Sequence, residues 1–283
     1  MTVLAISSQV AYGHVGLSAG VFCLQRLGIE TWPVPTVLFS NHPGHGGFKG
    51  RVLPAEEVAG LIEGVAERGL LAGCVGLLAG YMGSAANGQE AWGAILRLRA
   101  ANPKAVVLVD PVFGDKSTGV YAAADLPDFF RQRLVPAADL ITPNQFELER
   151  LTDRRIDSLD GALAASDRVR KWGPRTVVVT SFERADAAED VVETLLVTGE
   201  GAWLLATPRI ERVPHGAGDM FAALFLGYWL KHRGERWAFE QAVAATYGIL
   251  RHTADLGLAE PALIEAQDEI VVPSHRFEAE RVR

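Results

Sequence analysis

The feature that most constrains the fold is a series of short, unbroken apolar runs. Val3-Leu4-Ala5-Ile6, Cys74-Val75-Gly76-Leu77-Leu78, Val106-Val107-Leu108-Val109, Leu140-Ile141 and Val177-Val178-Val179 lack the apolar–polar alternation of a strand with one wet face. Runs of this kind suit the strands of a parallel sheet covered on both sides. Helical patterns lie between them. Pro54-Ala55-Glu56-Glu57 has proline and acids where a first helical turn takes them, and its pattern continues to about residue 68. Residues 89–101 and 158–172 read as two more helices. The alternation predicts right-handed βαβ units in one doubly wound, mostly parallel sheet.

Two stretches break the alternation. Thr194-Leu195-Leu196-Val197-Thr198 and Ala202-Trp203-Leu204-Leu205, joined by Gly199-Glu200-Gly201, read as a β-hairpin. Helices from Met220 and from about Trp237 then close the core. Residues 31–53 fit no helix: Trp32, Val34, Val37 and Phe39 precede a Gly-, His- and Pro-rich segment at 41–50. This reads as an edge hairpin, or flap, near a site, or else as an ordinary surface loop. No repeat, low-complexity stretch or interdomain linker divides residues 1–283, so a single domain is expected.

With 49% apolar residues and a formal charge of −7, the chain reads as globular and without a non-specific nucleic-acid partner. Cys23 and Cys74 are far apart and near no His/Cys cluster, which argues against a disulfide framework or structural zinc. The N-terminal stretch is too short and uncharged for a secretory signal, and no apolar run reaches the ~18 residues of a membrane span. A cytoplasmic protein with no membrane partner is the default expectation.

Chemistry concentrates first at Gly216-Ala217-Gly218-Asp219, directly before the apolar run 220–230. The glycines let backbone N–H groups turn toward one point at the positive end of a buried helix, which favours a phosphate. An aspartate there suits a base that takes a proton from a hydroxyl about to attack the phosphate. The same aspartate also stands where a helix N-cap belongs. In open α/β sheets ligands bind beyond the C-terminal strand ends. The residues following the runs are polar: Ser7 and Ser8; Asp110-Pro111 and then Gly114-Asp115-Lys116; Thr142-Pro143-Asn144 with Glu147; Thr180 and Ser181. Each alone reads equally as a loop residue or cap, and their convergence on one sheet edge is the stronger signal. Asp110 either starts a turn or faces a magnesium-bound triphosphate through water. Glu147 is either a solvated helix residue or a holder of metal-bound waters. His14, His42, His45 and His215 show no metal-ligand spacing with a carboxylate partner. The Gly-x-Ser-x-Gly elbow, the Walker loop and the Rossmann fingerprint are all missing.

Over nearly its whole length the chain resembles the pyridoxal kinases of the ribokinase-like superfamily. The resemblance is carried by Tyr12-Gly13-His14-Val15-Gly16, Phe39-Ser40-Asn41-His42, Leu78-Ala79-Gly80-Tyr81, Asp110-Pro111-Val112-Phe113-Gly114-Asp115-Lys116, Ile141-Thr142-Pro143-Asn144-Gln145-Phe146-Glu147 and Gly216-Ala217-Gly218-Asp219. The last motif belongs to small-molecule kinases at large. The Tyr12 and Phe39 segments are particular to vitamin B6 kinases.

The resemblance implies a three-layer α/β/α sandwich with a mostly parallel central sheet and a small β flap. It implies ATP-dependent phosphorylation of the 5′-hydroxymethyl group of pyridoxal. Asp219 would be the base, with Gly216, Ala217 and Gly218 as the anion hole. Ser8 would hydrogen-bond the pyridine nitrogen or a ring substituent, while Val15, Val37, Phe39 and Tyr81 enclose the ring. Asp110 and Glu147 would organise Mg2+ and its waters. Asp115, Thr142, Thr180 and Ser181 would line the ATP phosphate channel and a monovalent-cation site such as one for K+. A homodimer is the family's common assembly. Two departures stand out. Pro43 replaces the family's usual substrate-contacting threonine and has neither hydroxyl nor N–H. Ala217 replaces a threonine common in the glycine motif, keeping the backbone donor and losing a hydroxyl. The alternatives are a kinase for hydroxymethylpyrimidine or a similar heterocycle, a pyridoxal phosphate carrier and, weakest, a dinucleotide oxidoreductase.

Overall fold

The computed structural model describes residues 1–232 and 234–283. Its centre is a ten-stranded sheet. Strands β1 (Thr2–Val10), β2 (Glu30–Phe39), β3 (Gly50–Val52), β4 (Gly76–Ala79) and β5 (Val106–Val109) come first in the chain. A small separate hairpin follows, β6 (Gly114–Asp115) with β7 (Gly119–Val120). Then come β8 (Leu140–Ile141), β9 (Thr176–Phe182), β10 (Val191–Val197), β11 (Ala202–Pro208) and β12 (Glu280–Arg281). The spatial order is β12-β11-β10-β9-β8-β5-β4-β1-β2-β3. The six strands from β9 to β2 run parallel, and both flanks are antiparallel.

The helices are α1 (Leu17–Arg26), α2 (Ala55–Glu67), α3 (Ala85–Ala101), the short α4 (Leu126–Phe129) and α5 (Val135–Ala137), α6 (Gln145–Thr152), α7 (Leu159–Arg170), α8 (Ala217–His232) and α9 (Glu235–Asp255). Their starts follow capping chemistry. Ser84 and Ser158 each accept an N–H of the first turn, and Asn144 and Glu147 form a reciprocal capping box on α6. Period-2 alternation splits every parallel run between two cores. Leu4, Ile6, Val107, Val109, Val177 and Val179 pack with the helices of one face, α2, α3, α6 and α7. Val3, Ala5, Val106, Leu108 and Val178 pack with α1, α8 and α9 on the other. The result is a three-layer α/β/α sandwich, as expected. Helix α8 is buried at every position from Met220 to Leu230 because it lies between the sheet, α1 and α9. Among the described residues no helix is long and apolar enough to cross a membrane.

Three of the boundaries that differ from the sequence reading bear on the site, each with a local cause. Strand β1 continues through Ser7 and Ser8 to Val10, and its register against β2 shifts between Ser7 and Gln9. Strand β9 likewise continues through Thr180 and Ser181 to Phe182, with a register shift against β10 and Ser181 at φ 50°. Both polar pairs therefore sit in strand irregularities, which re-aim side chains, and not in loops past the strands. Helix α8 opens at Ala217, earlier than Met220. Asp219 consequently lies inside the first helical turn and is not its N-cap. In the 31–53 segment only Val37, Leu38 and Phe39 pair with β3; the earlier part of β2 is an inner parallel strand on β1.

Candidate active site

The glycine motif stands between two cavities. On one side, a void of about 10 Å3 is lined by Ser7, Gly16, Gly80, Asp110 and Asp219. On the other, a cavity of about 150 Å3 is lined by Ala217, Gly218, Thr180, Ser181, Phe221 and Tyr247. Asp219 lines the first, and Ala217 and Gly218 line the second. The start of α8 thus forms the partition, with N–H groups and the helix dipole available to an anion arriving from the larger cavity.

Gly16 shapes the smaller side. At φ +55°, it tolerates no Cβ, which would lie 2.2 Å from both the carbonyl oxygen and Oγ of Ser8. Its N–H acts on the Asp219 carboxylate, favouring the charged form. Ser8 is thereby packed on the residue that holds Asp219. Ser7 Oγ accepts from Tyr81 N–H at 3.0 Å, and Thr36 Oγ1 donates to the Tyr81 carbonyl at 2.7 Å. These two bonds fix the 80–83 turn over the same void, and burial raises the Tyr81 hydroxyl pKa. Val15 is buried. Val37 is fully buried against Gly83 and Val52, so it supports that turn from beneath. Phe39 packs against Phe48 of the flap with the rings tilted, centroids 4.4 Å apart.

Three carboxylates converge behind the glycine motif. Burial pushes Asp219 up to about 6, while the Gly16 N–H works against that rise. Asp110 is raised by burial and by the charge of Asp219, against a 2.9 Å hydrogen bond donated by Thr142 Oγ1. Glu147 is raised by burial and by the charge of Asp110. Its oxygens accept from Phe113 N–H at 3.2 Å and Asn144 N–H at 2.9 Å. Among the described residues no lysine or arginine acts on any of the three. No group of three or more His, Cys, Asp or Glu is arranged there to grip a metal directly. A pair of buried acids without a basic partner nevertheless fits a hydrated divalent cation held through water.

Asp115 lies apart in the β6–β7 hairpin. Burial pushes its carboxyl up, but hydrogen bonds from Ser117 and Thr118 outweigh this and leave it below the usual range. The Thr142 hydroxyl is committed to Asp110, whereas Thr180 and Ser181 open on the larger cavity. Ser181 holds a left-handed backbone conformation that a serine rarely adopts.

Sequence spacing missed two groups. Tyr121 is half exposed, yet burial and then the charges of Glu147, Asp219, Asp110 and Asp115 push its hydroxyl up, which puts it beside the acids. Glu260 supplies the carboxylate partner that the histidines lacked on paper, meeting His45 from 215 positions away. His42 stacks on His215 at 3.9 Å, and burial together with the His215 charge lowers it to about 4. No local motif announces contacts of such separation.

The comparisons agree with this arrangement. Residues 85–262 match the family model described as phosphomethylpyrimidine kinase. The pyridoxal kinase PdxY of Rubrobacter xylanophilus is 48% identical over 283 residues, covering 100% of this chain and 98% of that relative. The pyridoxal kinase PdxY of Deinococcus radiodurans is 46% identical, covering 99% of this chain and 96% of that relative. The structure of the pyridoxal kinase from Leishmania donovani with ADP and ginkgotoxin superposes with a TM-score of 0.93 at 27% identity, over 100% of this chain and 99% of that one. Structures of the same kinase with ADP and pyridoxamine or pyridoxine superpose at 0.91 and 0.92. Full-length identity, the shared fold and the glycine motif between its two cavities agree: the chain belongs to the pyridoxal kinase family.

Proposed function

We propose that this chain transfers the γ-phosphoryl group of ATP to the 5′-hydroxymethyl group of pyridoxal and related B6 vitamers. The observation that carries the reading is the partition at the start of α8. Asp219 lines one cavity, and Ala217 and Gly218 the other. A hydroxyl held on the Asp219 side and a triphosphate on the Thr180–Ser181 side would meet in line across the anion hole. With a pKa near 6, Asp219 is ionised at neutral pH and still basic enough to take the hydroxyl proton as the new P–O bond forms. Gly216, Ala217 and Gly218 stabilise charge on the transferring group through backbone N–H donors, already oriented before reaction.

Ser8 supplies a polar contact for the ring edge, and Val15, Phe39 and Tyr81 an apolar enclosure, with Val37 backing it. Thr180 and Ser181 offer hydroxyls to the phosphates, and Asp115 shapes the hairpin bordering the acids. Thr142 acts by holding Asp110. Mg2+ is the metal the acid pair fits: Asp110 and Glu147 would hold its waters, and the ion would neutralise phosphate charge. A monovalent cation such as K+ beside the phosphate channel and a homodimeric assembly complete the reading. The test is an ADP-release assay with Mg2+, ATP and, in turn, pyridoxal, pyridoxine, pyridoxamine and hydroxymethylpyrimidine. The reading requires turnover of a B6 vitamer above hydroxymethylpyrimidine. No vitamer-dependent ADP release would refute it.

A further inference from the structure

Glu260 lies outside the reacting groups, yet three segments meet on it. It is 8% exposed. Its Oε2 accepts from the His14 N–H at 2.9 Å, and its Oε1 lies 2.5 Å from His45 Nε2 in the flap. The next residue's carbonyl, of Pro261, lies 2.9 Å from His14 Nδ1. His14 is therefore gripped by both backbone and ring. The turn admits the carboxylate only because Gly13 has no Cβ, which would stand 2.5 Å from Oε1.

The gripped turn reaches the reaction centre twice. The His14 carbonyl packs on Gly216, where a Cβ would lie 2.1 Å from the oxygen. Two residues further on, Gly16 lines the same void as Asp219, and its N–H favours the charged carboxylate. On the other arm, His45 carries the flap, whose His42 stacks on His215, the residue before Gly216. Contacts thus run continuously from the flap through Glu260 to the base and the anion hole.

We propose that Glu260 is a positioning residue, a clasp that registers the closed flap against the Gly13–Gly16 turn and so couples substrate capture to the orientation of Asp219. This rests on the kinase reading above for its kinetic part alone. Losing one partner of a buried hydrogen-bonded pair leaves the other's polar group unsatisfied, so the clasp is sensitive to single changes. Its two arms can be cut separately. His45→Ala cuts the flap arm. Glu260→Gln keeps an amide oxygen for the His14 N–H and loses the charge facing His45. Glu260→Ala cuts both.

The expected pattern is a split between KM and kcat. His45→Ala and Glu260→Gln raise the KM for pyridoxal on the order of tenfold with kcat changed by less than about threefold, and the double variant matches either single one. Glu260→Ala raises that KM and also lowers kcat on the order of tenfold, with the KM for ATP within about twofold of the parent. Hydrogen exchange on the ligand-free protein reads the clasp without any turnover. Glu260→Ala speeds exchange in peptides covering both 11–16 and 40–49, whereas His45→Ala speeds only 40–49. A purely structural role would lower Tm and active fraction and leave KM and the peptide pattern unchanged, and that result overturns the proposal. So does equal loss of kcat in Glu260→Gln and Glu260→Ala, or unchanged exchange in 11–16 for Glu260→Ala. If the parent protein does not phosphorylate pyridoxal while the exchange pattern holds, the kinase reading falls and the clasp stands.

Discussion

Replacing Asp219 by asparagine removes charge while nearly keeping shape, so it probes chemistry and stability together. Burial raises the carboxyl from its ordinary 3.8 to about 6. At about 1.4 kcal/mol per pKa unit, keeping Asp219 ionised at neutral pH costs the folded protein about 3 kcal/mol. The folded pKa lies above the unfolded one. The folded state therefore binds the extra proton between about pH 4 and pH 6, and stability falls as pH rises through that window. Asparagine escapes this cost at every pH. It gives back roughly 1 kcal/mol, because a neutral amide is a weaker acceptor for the Gly16 N–H than a carboxylate. The net gain of about 2 kcal/mol predicts a Tm roughly 3 °C above the parent at pH 8, shrinking below pH 6. Turnover moves the opposite way. Loss of a general base predicts a fall in kcat of about 10²–10⁴. The KM for ATP should change little, because the anion donors are backbone groups. In the parent, kcat/KM for pyridoxal should climb with pH through a midpoint near 6, and the residual rate of the variant should lack that limb. Coupled ADP release and thermal melting over pH 5–8.5 measure both effects. Turnover within about tenfold of the parent refutes the base assignment. A lower Tm at pH 8 refutes the claim that Asp219 is held charged against burial.

Asp110→Asn should raise the Tm of the nucleotide-free protein at neutral pH and raise the Mg2+ concentration needed for half-maximal rate; a magnesium titration showing no change refutes the assignment of Asp110 to the metal. Gly16→Ala forces a side chain into a left-handed turn against Ser8, with an expected loss of ~2–3 kcal/mol in urea unfolding and loss of turnover; a variant of parental stability would mean the turn relaxes. Pro43→Thr should lower the KM for pyridoxal by restoring a hydroxyl to the flap, and an unchanged KM means the flap touches substrate elsewhere.

The layers of the fold were legible because burial on both faces of a parallel strand leaves a direct trace, an unbroken apolar run. Val106–Val109 is four buried residues and reads as such. The ends of elements left a weaker trace. Ser7, Ser8, Thr180 and Ser181 looked like residues past the strands, since polarity marks a change of environment and not the end of backbone pairing. A bulge keeps the strand going while turning its hydroxyls. Asp219 resembled an N-cap because capping chemistry and first-turn chemistry favour the same residue, and only the backbone start at Ala217 separates them. Glu260 was illegible in principle. Its partners His14 and His45 lie 246 and 215 positions away, and no local pattern encodes a meeting decided by tertiary packing.

Asp110, Glu147 and Asp219 give a physical reason for the site's incompleteness as a protein alone. Folding brings all three into low dielectric, raises the pKa of each, and supplies backbone N–H groups and a threonine hydroxyl in place of a counter-cation. A lysine or arginine in that space would relieve the repulsion and stabilise the fold. It would also neutralise Asp219, by a fixed charge that no longer responds to substrate. Leaving the charge uncompensated would let a cation carried in with the nucleotide do the neutralising, and only when the phosphates are present. In the empty protein Asp219 keeps a pKa of about 6, where a carboxylate is both ionised at neutral pH and able to accept a proton. On this view the instability of the acid cluster is coupled to its selectivity. Asp219 has spent its share of that instability by about pH 6, whereas Asp110, pushed up to about 8, ionises above it, so stabilisation by Mg2+ and ATP should grow between pH 6 and pH 8 while the stability of the empty protein declines.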